Sequence, residues 1–510
     1  MSVEAPRPES LDLALVALEQ RLDGLTSRAA GWLLDRWRTR RARGKATLRD
    51  WAGLHHGRSQ TAPVLALALS QALAAGALES AERLADDLVA RLSELAPQQQ
   101  IGAVTLVLEA LQACGRSEQA ANLARAHRQG LRGSVRGVSA LELLGLGDGS
   151  FWLPDGRPNL LGLSRAVAHG ALTASALAAQ LQPSWRALLQ TPELCLLFFA
   201  ALRESDAGRA LAFLNRFLER EGLPLCCLRT TSLRGANLLA ELEFERPPQS
   251  QDRTLVSVLM AARNASTTIC YALDSLLSQT HGSLEILVGD DASDDATLDL
   301  VQTRFAKERR VRLFRSARPQ GAYNVRNQLA AQAQGEFLTF HDADDLALPT
   351  RIATQLAELR NPARVAVLTN WLRVTPEGNV VFFNDQRASR LSMVSNMMKR
   401  QAWLAVGPFR SARVGADWEL LGKLRRRYGD ASLARIRRPL LLGLWGPGSA
   451  TRSPGTEALE NGYRSTARRK YSELVAAQLA TGGTSFSDAE IDALLRACDN
   501  YVEPSHLNEA

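Results

Sequence analysis

From Thr254 onward the hydrophobic pattern changes period, and that change restricts the fold more than anything else in the chain. TLVSVLMAA (Thr254 to Ala262) is an apolar strand, STTICYALDSLLSQT (Ser266 to Thr280) an amphipathic helix with a Ser or Thr cap, and LEILVGDD (Leu284 to Asp291) a second buried strand. The alternation continues through helix ATLDLVQTRFAKE, strand VRLFRS, helix AYNVRNQLAAQAQ and strand EFLTFHDADD. Alternating strands and helices predict a parallel sheet covered on both faces, with ligands at the carboxyl ends of the strands. Those ends read AARN, GDDASDD and HDADD, so two acidic clusters converge on one edge.

Clustered carboxylates repel one another and are costly to desolvate, so Asp342, Asp344 and Asp345 call for a positive partner. Strand alternation sets Asp342 and Asp344 on one side and Ala343 on the other. Such a pair suits a hard divalent cation, Mn2+ or Mg2+, that shares its sphere with water and substrate phosphates. The plainer reading is an acidic loop capping the next helix. In VGDDASDDAT, Asp294 and Asp295 are placed to cap the helix near Ala296, while Asp291 sits at the strand end itself as a ligand contact.

The 510 residues exceed one core, and 46% hydrophobic with 22% charged residues excludes wholesale disorder. The division expected is an all-α region over 1–245, a linker over 246–253 (FERPPQSQDR spans it), an α/β domain over 254–450 and a helical extension over 451–510. In the first region GALESAERLADDL from Gly76 and GRSEQAANLARAH from Gly115 share G-x-x-E-x-A-x-x-L-A, a repeat-like pair with Gly at the corner, and Glu204 to Gly222 reads as another helix. A net charge of +8 with spread-out basic residues selects no nucleic-acid partner, and RWRTRRARGK (Arg36 to Lys45) and LRRRYG read as solvated helix faces. The six cysteines have no paired spacing. No long apolar run and no basic leader are present, so a cytoplasmic location is expected, with peripheral association at the inner membrane surface.

The segments VSVLMAARN, SLLSQT, VGDDASDD, VRN and GEFLTFHDADD, in this order, resemble the inverting family 2 glycosyltransferases of GT-A fold. That family reads V-S-V-I-I-P-x-Y-N, S-L-x-S-Q-T, V-x-D-D-G-S-x-D, A-R-N and G-x-x-I-x-F-L-D-x-D-D. The resemblance covers about Thr254 to Leu424. It implies a nucleotide-diphospho-sugar transferase fold, Rossmann-like with a mostly parallel sheet, and transfer of a sugar, from a UDP-sugar, to a hydroxyl of a glycan or glycolipid in bacterial surface polysaccharide synthesis. It implies that Asp342 and Asp344 are the D-x-D pair, Asp344 on the metal and Asp342 nearer the ribose. Asp291 would read the base, Ala261, Ala262, Arg263 and Asn264 would line the nucleotide pocket, and Arg326 would contact phosphate or ribose. Arg263 replaces the usual Tyr, so stacking would come from a guanidinium plane.

An inverting transfer also needs a base, and VGPFRSARVGADWELLGKL (Val406 to Leu424) matches the family's G-x-F and x-E-D-x-E-L, with Asp417 at the base position and Ala416 in place of the first acid. The alternative role for Asp417 is to cap the helix from Trp418. No Q-x-x-R-W follows LRRRYG, which argues against a membrane synthase of long homopolymers. LLLGLWGPGSATRSPG has no His, which leaves a third metal ligand undefined; its Trp445 is a candidate for an acceptor-side loop. A phosphatase of the haloacid dehalogenase type would need Thr or Val two places after Asp344, and Leu346 stands there. The competing class is a degenerate scaffold whose helices bind a protein partner or a second copy of the chain. Retention of Asp291, Asp342, Asp344 and Asp417 together argues for an enzyme, because idle carboxylates only strain a fold.

Overall fold

The computed structural model describes residues 62–181, 191–229, 237–383, 385–459, 461–480 and 488–509. The basic run Arg36 to Lys45 and the N-terminal stretch lie outside them. The chain forms two compact units that interleave: 121–245 with 374–388, and 62–120 with 246–373 and 389–510. This differs from the linear division expected from composition, because a short excursion from the α/β region joins the helical unit and the first helices join the α/β unit.

In chain order the elements used below are α1 (Ala62–Ala75), α2 (Leu78–Val89), α3 (Pro97–Ala113), α4 (Val135–Leu143), α5 (Leu160–Ala168), α6 (Leu194–Leu202) and α7 (Ala207–Arg220). The α/β region follows with β1 (Val256–Ala262), α8 (Ile269–Leu277), β2 (Leu284–Asp290), α9 (Thr297–Arg304), β3 (Val311–Ser316), α10 (Gly321–Gln332), β4 (Phe337–Asp342) and β5 (Asp345–Ala347). After these come β6 (Ala366–Val374), β7 (Ser389–Leu391), β8 (Met397–Lys399), α11 (Ala416–Tyr428), β9 (Leu433–Leu444), α12 (Thr466–Ala480), α13 (Asp488–Ala497) and β10 (Leu507–Glu509).

The unit of 121–245 and 374–388 is helical. Helix α7 is capped by the Asp206 carboxylate, which accepts from the Arg209 N–H, and packs against α6 through stacked Phe198 and Phe213, 4.6 Å apart. The excursion is fastened by Gln386. Its Oε1 accepts from the Leu161 N–H (2.9 Å) and its Nε2 donates to Ser139 Oγ and Asn159 Oδ1.

The second unit is built on a ten-stranded sheet of order β10-β3-β2-β1-β4-β8-β6-β9-β5, with β7 beside β6. Strands β3, β2, β1 and β4 run parallel, and antiparallel strands extend them on both sides. Every residue of β2 and all but one of β1 are buried, as continuous apolar runs demand when helices cover both faces. Gly289 of β2 admits α10 closely, since a Cβ there would lie 2.3 Å from Val325 Cγ1. Strand order reverses between β1 and β4, where Ala261 pairs with Asp342. The switch point that receives ligands in such sheets therefore falls on AARN and HDADD.

The two similar N-terminal segments adopt one turn. Gly76 and Gly115 have φ of +75° and +80°, and the following N–H reaches back to Leu73's neighbour Ala72 O in one and to Leu111 O in the other, both at 2.9 Å. Both corners face the C-terminal segment: Ser80 Oγ donates to Glu473 of α12, Arg469 of α12 pairs with Glu82 at 3.3 Å, and a Cβ on Gly115 would meet the Tyr463 ring at 2.9 Å. All six cysteines are free thiols. No helix of the described residues is long and apolar enough to cross a membrane.

Replacing Gln386 with Ala strands the buried Leu161 N–H. The expected loss is about 1–3 kcal/mol, read as a lower urea midpoint at unchanged slope.

Candidate active site

Three loop ends meet at the switch point. The β1–α8 loop is laced to the β2–α9 loop: Asp291 N donates to Ala262 O, Asn264 N to Ser293 Oγ, Ala265 N to Thr297 Oγ1 and Ser266 N to the Asp295 carboxylate. Asn264 takes a left-handed backbone (φ +50°), which Asn tolerates and which lets its Oδ1 accept from Asp294 N. Arg263 is exposed and near enough to Asp291 to act on its charge. Of the two residues expected to cap α9, Asp295 accepts from the Thr297 N–H and hydroxyl, whereas Asp294 contributes only its backbone N–H.

Asp291 is 4% exposed, and its two oxygens accept from Gln320 N and Gly321 N at 2.8 and 2.9 Å. It closes the N-terminus of α10, a bond that the sequence does not announce. Burial raises its carboxyl above the usual range, and those two N–H groups pull the other way.

Strand β4 ends at Asp342 and β5 begins at Asp345, so Ala343 and Asp344 form a turn. Asp342 and Asp344 thus converge through a turn and not through strand alternation, and both remain half-exposed while Ala343 and Asp345 are buried. Burial and the Asp342 charge push Asp344 up to about 6. The Tyr271 hydroxyl donates to the Asp344 carbonyl at 2.6 Å and fixes the turn.

The positive charge this cluster calls for comes in part from the protein. Arg326, its side chain 8% exposed, forms an ion pair with Asp342. Arg373 lies on the Trp371 ring at 3.6 Å, donates to Leu444 O and acts on Asp345, Asp344 and Asp342 in turn. Arg351 is fully buried and donates to Phe340 O, Thr339 Oγ1 and His341 Nδ1. His341 then carries its proton on Nε2, facing Asp345 O, and its desolvation holds it neutral. Asp345 Oδ2 is buried without a hydrogen-bond partner.

Among the described residues, no three His, Cys, Asp or Glu side chains gather as a metal cage. The donor set is two half-exposed carboxylates whose repulsion a cation would relieve, which fits an ion that takes one or two protein carboxylates and completes its sphere with phosphate and water.

Asp417 occupies the first turn of α11 behind Gly415 (φ +90°) and is half-exposed. The helix starts at Ala416 with Gly415 as its N-cap and no side-chain cap, so Asp417 does not cap it; its Oδ1 accepts from the adjacent Trp418 N, and its charge, with burial, suppresses ionisation of the Tyr323 hydroxyl. Helix α10 therefore reaches three of the acids: Asp291 at its N-terminus, Asp342 through Arg326 and Asp417 beside Tyr323. Asn327 of VRN adds a two-way clamp on Phe409, accepting from its N–H and donating to its carbonyl. Phe409 follows the cis Gly407–Pro408 bond and packs on Tyr323, Phe340 and Trp403 at 5.0, 5.1 and 5.2 Å.

Sequence reasoning assigned no role to Tyr323, Arg373, Glu419 or Tyr471. Glu419, the second acid of the matched ADWEL stretch, is the one with a signal. It is buried and bonded by Tyr471 Oη (2.5 Å), Arg410 (2.8 Å) and Lys423 (3.3 Å), which ties α11 to α12; Arg410 continues to Asp488 of α13.

A parallel core with an acidic switch point and an antiparallel flank defines the GT-A class of α/β fold. Residues 257–421 match the family model described as Glycosyl transferase family 2, so the chain carries a domain of that family. Similar proteins include the UDP-Glc:alpha-D-GlcNAc-diphosphoundecaprenol beta-1,3-glucosyltransferase WfaP of Escherichia coli, 35% identical over 20% of this chain and 40% of its own. The chondroitin synthase of Escherichia coli is 30% identical over 33% of this chain and 26% of its own. An uncharacterized glycosyltransferase of Haemophilus influenzae is 29% identical over 25% and 51%. The chain thus spans about half or less of the length of these relatives. TarS 1-349 of S. aureus in complex with UDP-GlcNAc aligns over 48% of this chain and 71% of its own at 17% identity and a TM-score of 0.36, which adds nothing to the family match.

Two outcomes are expected. Because the folded Asp344 carboxyl titrates above its unfolded value, metal-free stability falls as pH rises from 3.8 through about 6. Asp344→Asn therefore raises Tm at pH 8 and loses that gain at pH 4. Glu419→Ala leaves Arg410 and Lys423 facing a buried gap and costs about 3 kcal/mol in chemical unfolding.

Proposed function

We propose that the protein is an inverting glycosyltransferase that moves a sugar from a nucleotide-diphospho-sugar, a UDP-sugar, to a hydroxyl of a glycan or glycolipid in bacterial surface polysaccharide synthesis. The observation that carries this reading is the single helix α10 holding Asp291, Asp342 and Asp417 in register. The family match and the relatives that transfer from UDP-sugars support it.

In this mechanism Ala261, Ala262, Arg263 and Asn264 line the nucleotide pocket and Asp291 faces the base. Asp342 and Asp344 would hold a Mn2+ or Mg2+ ion, which when bound neutralises charge on the donor's diphosphate. Arg326, already paired with Asp342, sits where it can share a phosphate oxygen. Asp417 takes the proton of the acceptor hydroxyl as that oxygen bonds to the anomeric carbon and the nucleoside diphosphate leaves from the opposite face. The C–O bond to the acceptor forms as the C–O bond to phosphate breaks, so one displacement inverts the centre. Tyr323, buried beside Asp417, has its ionisation suppressed by that carboxylate.

The test is calorimetric titration with UDP, with and without Mn2+. Metal-dependent binding that Asp344→Ala abolishes is expected, while Asp417→Asn leaves UDP affinity unchanged and slows transfer by about 100-fold or more. Binding of GDP or dTDP in place of UDP would remove Asp291 from base reading and keep the transferase. If no nucleotide binds, the domain is a degenerate scaffold and the proposal falls.

A further inference from the structure

The C-terminal segment brings a second set of cations to the site. The loop after β9 folds on itself: Thr456 Oγ1 donates to Ala450 O, Ala458 N to Thr451 O, and Ala458 bridges Arg464. Its carbonyls then grip two guanidinium groups. Arg464 Nη1 donates to Leu459 O and Tyr463 O at 3.2 and 2.8 Å, and Arg468 Nε donates to Thr456 O at 2.6 Å. A guanidinium has five N–H donors, so these bonds orient each group and leave most of its donors over.

Arginines nearby are matched to carboxylates: Arg326 to Asp342, Arg410 to Glu419 and Arg469 to Glu82. Among the described residues, Arg464 and Arg468 pair with none. They also crowd one another. Burial lowers the Arg464 guanidinium to about 10, and the charges of Arg468 and Arg390 add to that effect. Gathering like charges in a half-buried pocket costs stability unless an anion occupies it.

Arg468 places this pocket. It lies on α12 one turn before Tyr471, which bonds Glu419 two residues beyond Asp417, and its charge reaches Tyr323 and Arg373. The helix that carries it, α12, holds α11 through Tyr471 and Glu419, and a Cβ on Gly415 would lie 2.7 Å from the Tyr471 ring. The donor side is built differently, from the ends of β1, β2 and β4 with Arg326.

We propose that Arg464 and Arg468, with Arg373 behind them, form a phosphate-binding site on the acceptor side of the candidate active site, taking a phosphate or diphosphate group carried by the acceptor. This deepens and rests on the transferase reading above. A planar, two-pronged guanidinium pair matches phosphate oxygens in a way that lysines would not. The acceptor is thereby specified as an anionic one, a glycosyl phosphate or diphosphate, soluble or on a lipid.

The test titrates the full-length protein, saturated with UDP and Mn2+, with inorganic pyrophosphate. Binding is expected beside UDP, weakened by about 10-fold or more in Arg468→Gln and in Arg464→Gln, the loss carried by one charge-assisted hydrogen bond. Arg468→Lys should recover part of it, and UDP affinity should hold in all three. Pyrophosphate that only competes with UDP, or variants that lose UDP affinity equally, would assign the cluster to the donor diphosphate and overturn the proposal. So would pyrophosphate binding that ignores both substitutions. Absence of UDP binding by the unaltered protein would instead overturn the transferase reading, and titration of the unliganded protein would still decide the anion site. Geranylgeranyl diphosphate in detergent micelles, run in parallel, separates the sources: tighter binding than pyrophosphate with the same Arg468 dependence marks a lipid carrier, and equal binding marks a soluble phosphate.

Discussion

The ion pair between Arg326 and Asp342 is the contact on which the site depends. It fixes one carboxylate, at the end of β4, to helix α10, which also meets Asp291 and Asp417. A carboxylate at a sheet edge is mobile and well solvated by default. Here Asp291, Asp342 and Asp417 each meet a different feature of one helix: its N-terminal N–H groups, a guanidinium and a buried tyrosine. Rigid placement of this kind costs nothing further when substrate arrives.

The acids are nearly balanced by the protein's own arginines. Arg326, Arg351 and Arg373 answer Asp342, Asp344 and Asp345, with Arg351 and His341 buried behind the turn. The balance explains how three carboxylates survive in four positions without unfolding the turn. It is incomplete at both Asp344 and Asp345, whose carboxyls stay raised, and Asp344, the more exposed of the two, is the one placed to gain from a cation.

The C-terminal segment and the first helices form one support for the candidate base. Helix α2 packs on α12, α12 holds Glu419 through Tyr471, and Glu419 sits two residues beyond Asp417 on α11. A stretch that composition marks only as an added helical part is thereby structurally continuous with the chemistry. The repeat-like corners at Gly76 and Gly115 serve this packing.

Continuous apolar strand runs alternating with amphipathic helices, strand ends rich in aspartate and the order of the five short segments determined the α/β core and the residues at its edge, because burial on both sheet faces leaves few patterns for such strands. The position of Asp291, Asp342 and Asp344 at that edge was legible for that reason, whereas Asp417 was assigned from the resemblance of its helical ADWEL stretch. Tertiary structure alone decided what holds them. The Tyr271 bond that fixes the Ala343–Asp344 turn, the Asp291 cap on α10, the Glu419–Tyr471 bond and the Arg373–Leu444 bond join residues 73, 29, 52 and 71 positions apart. Local propensity carries no information about such pairings, and charge in a sequence has no partner until the chain has closed.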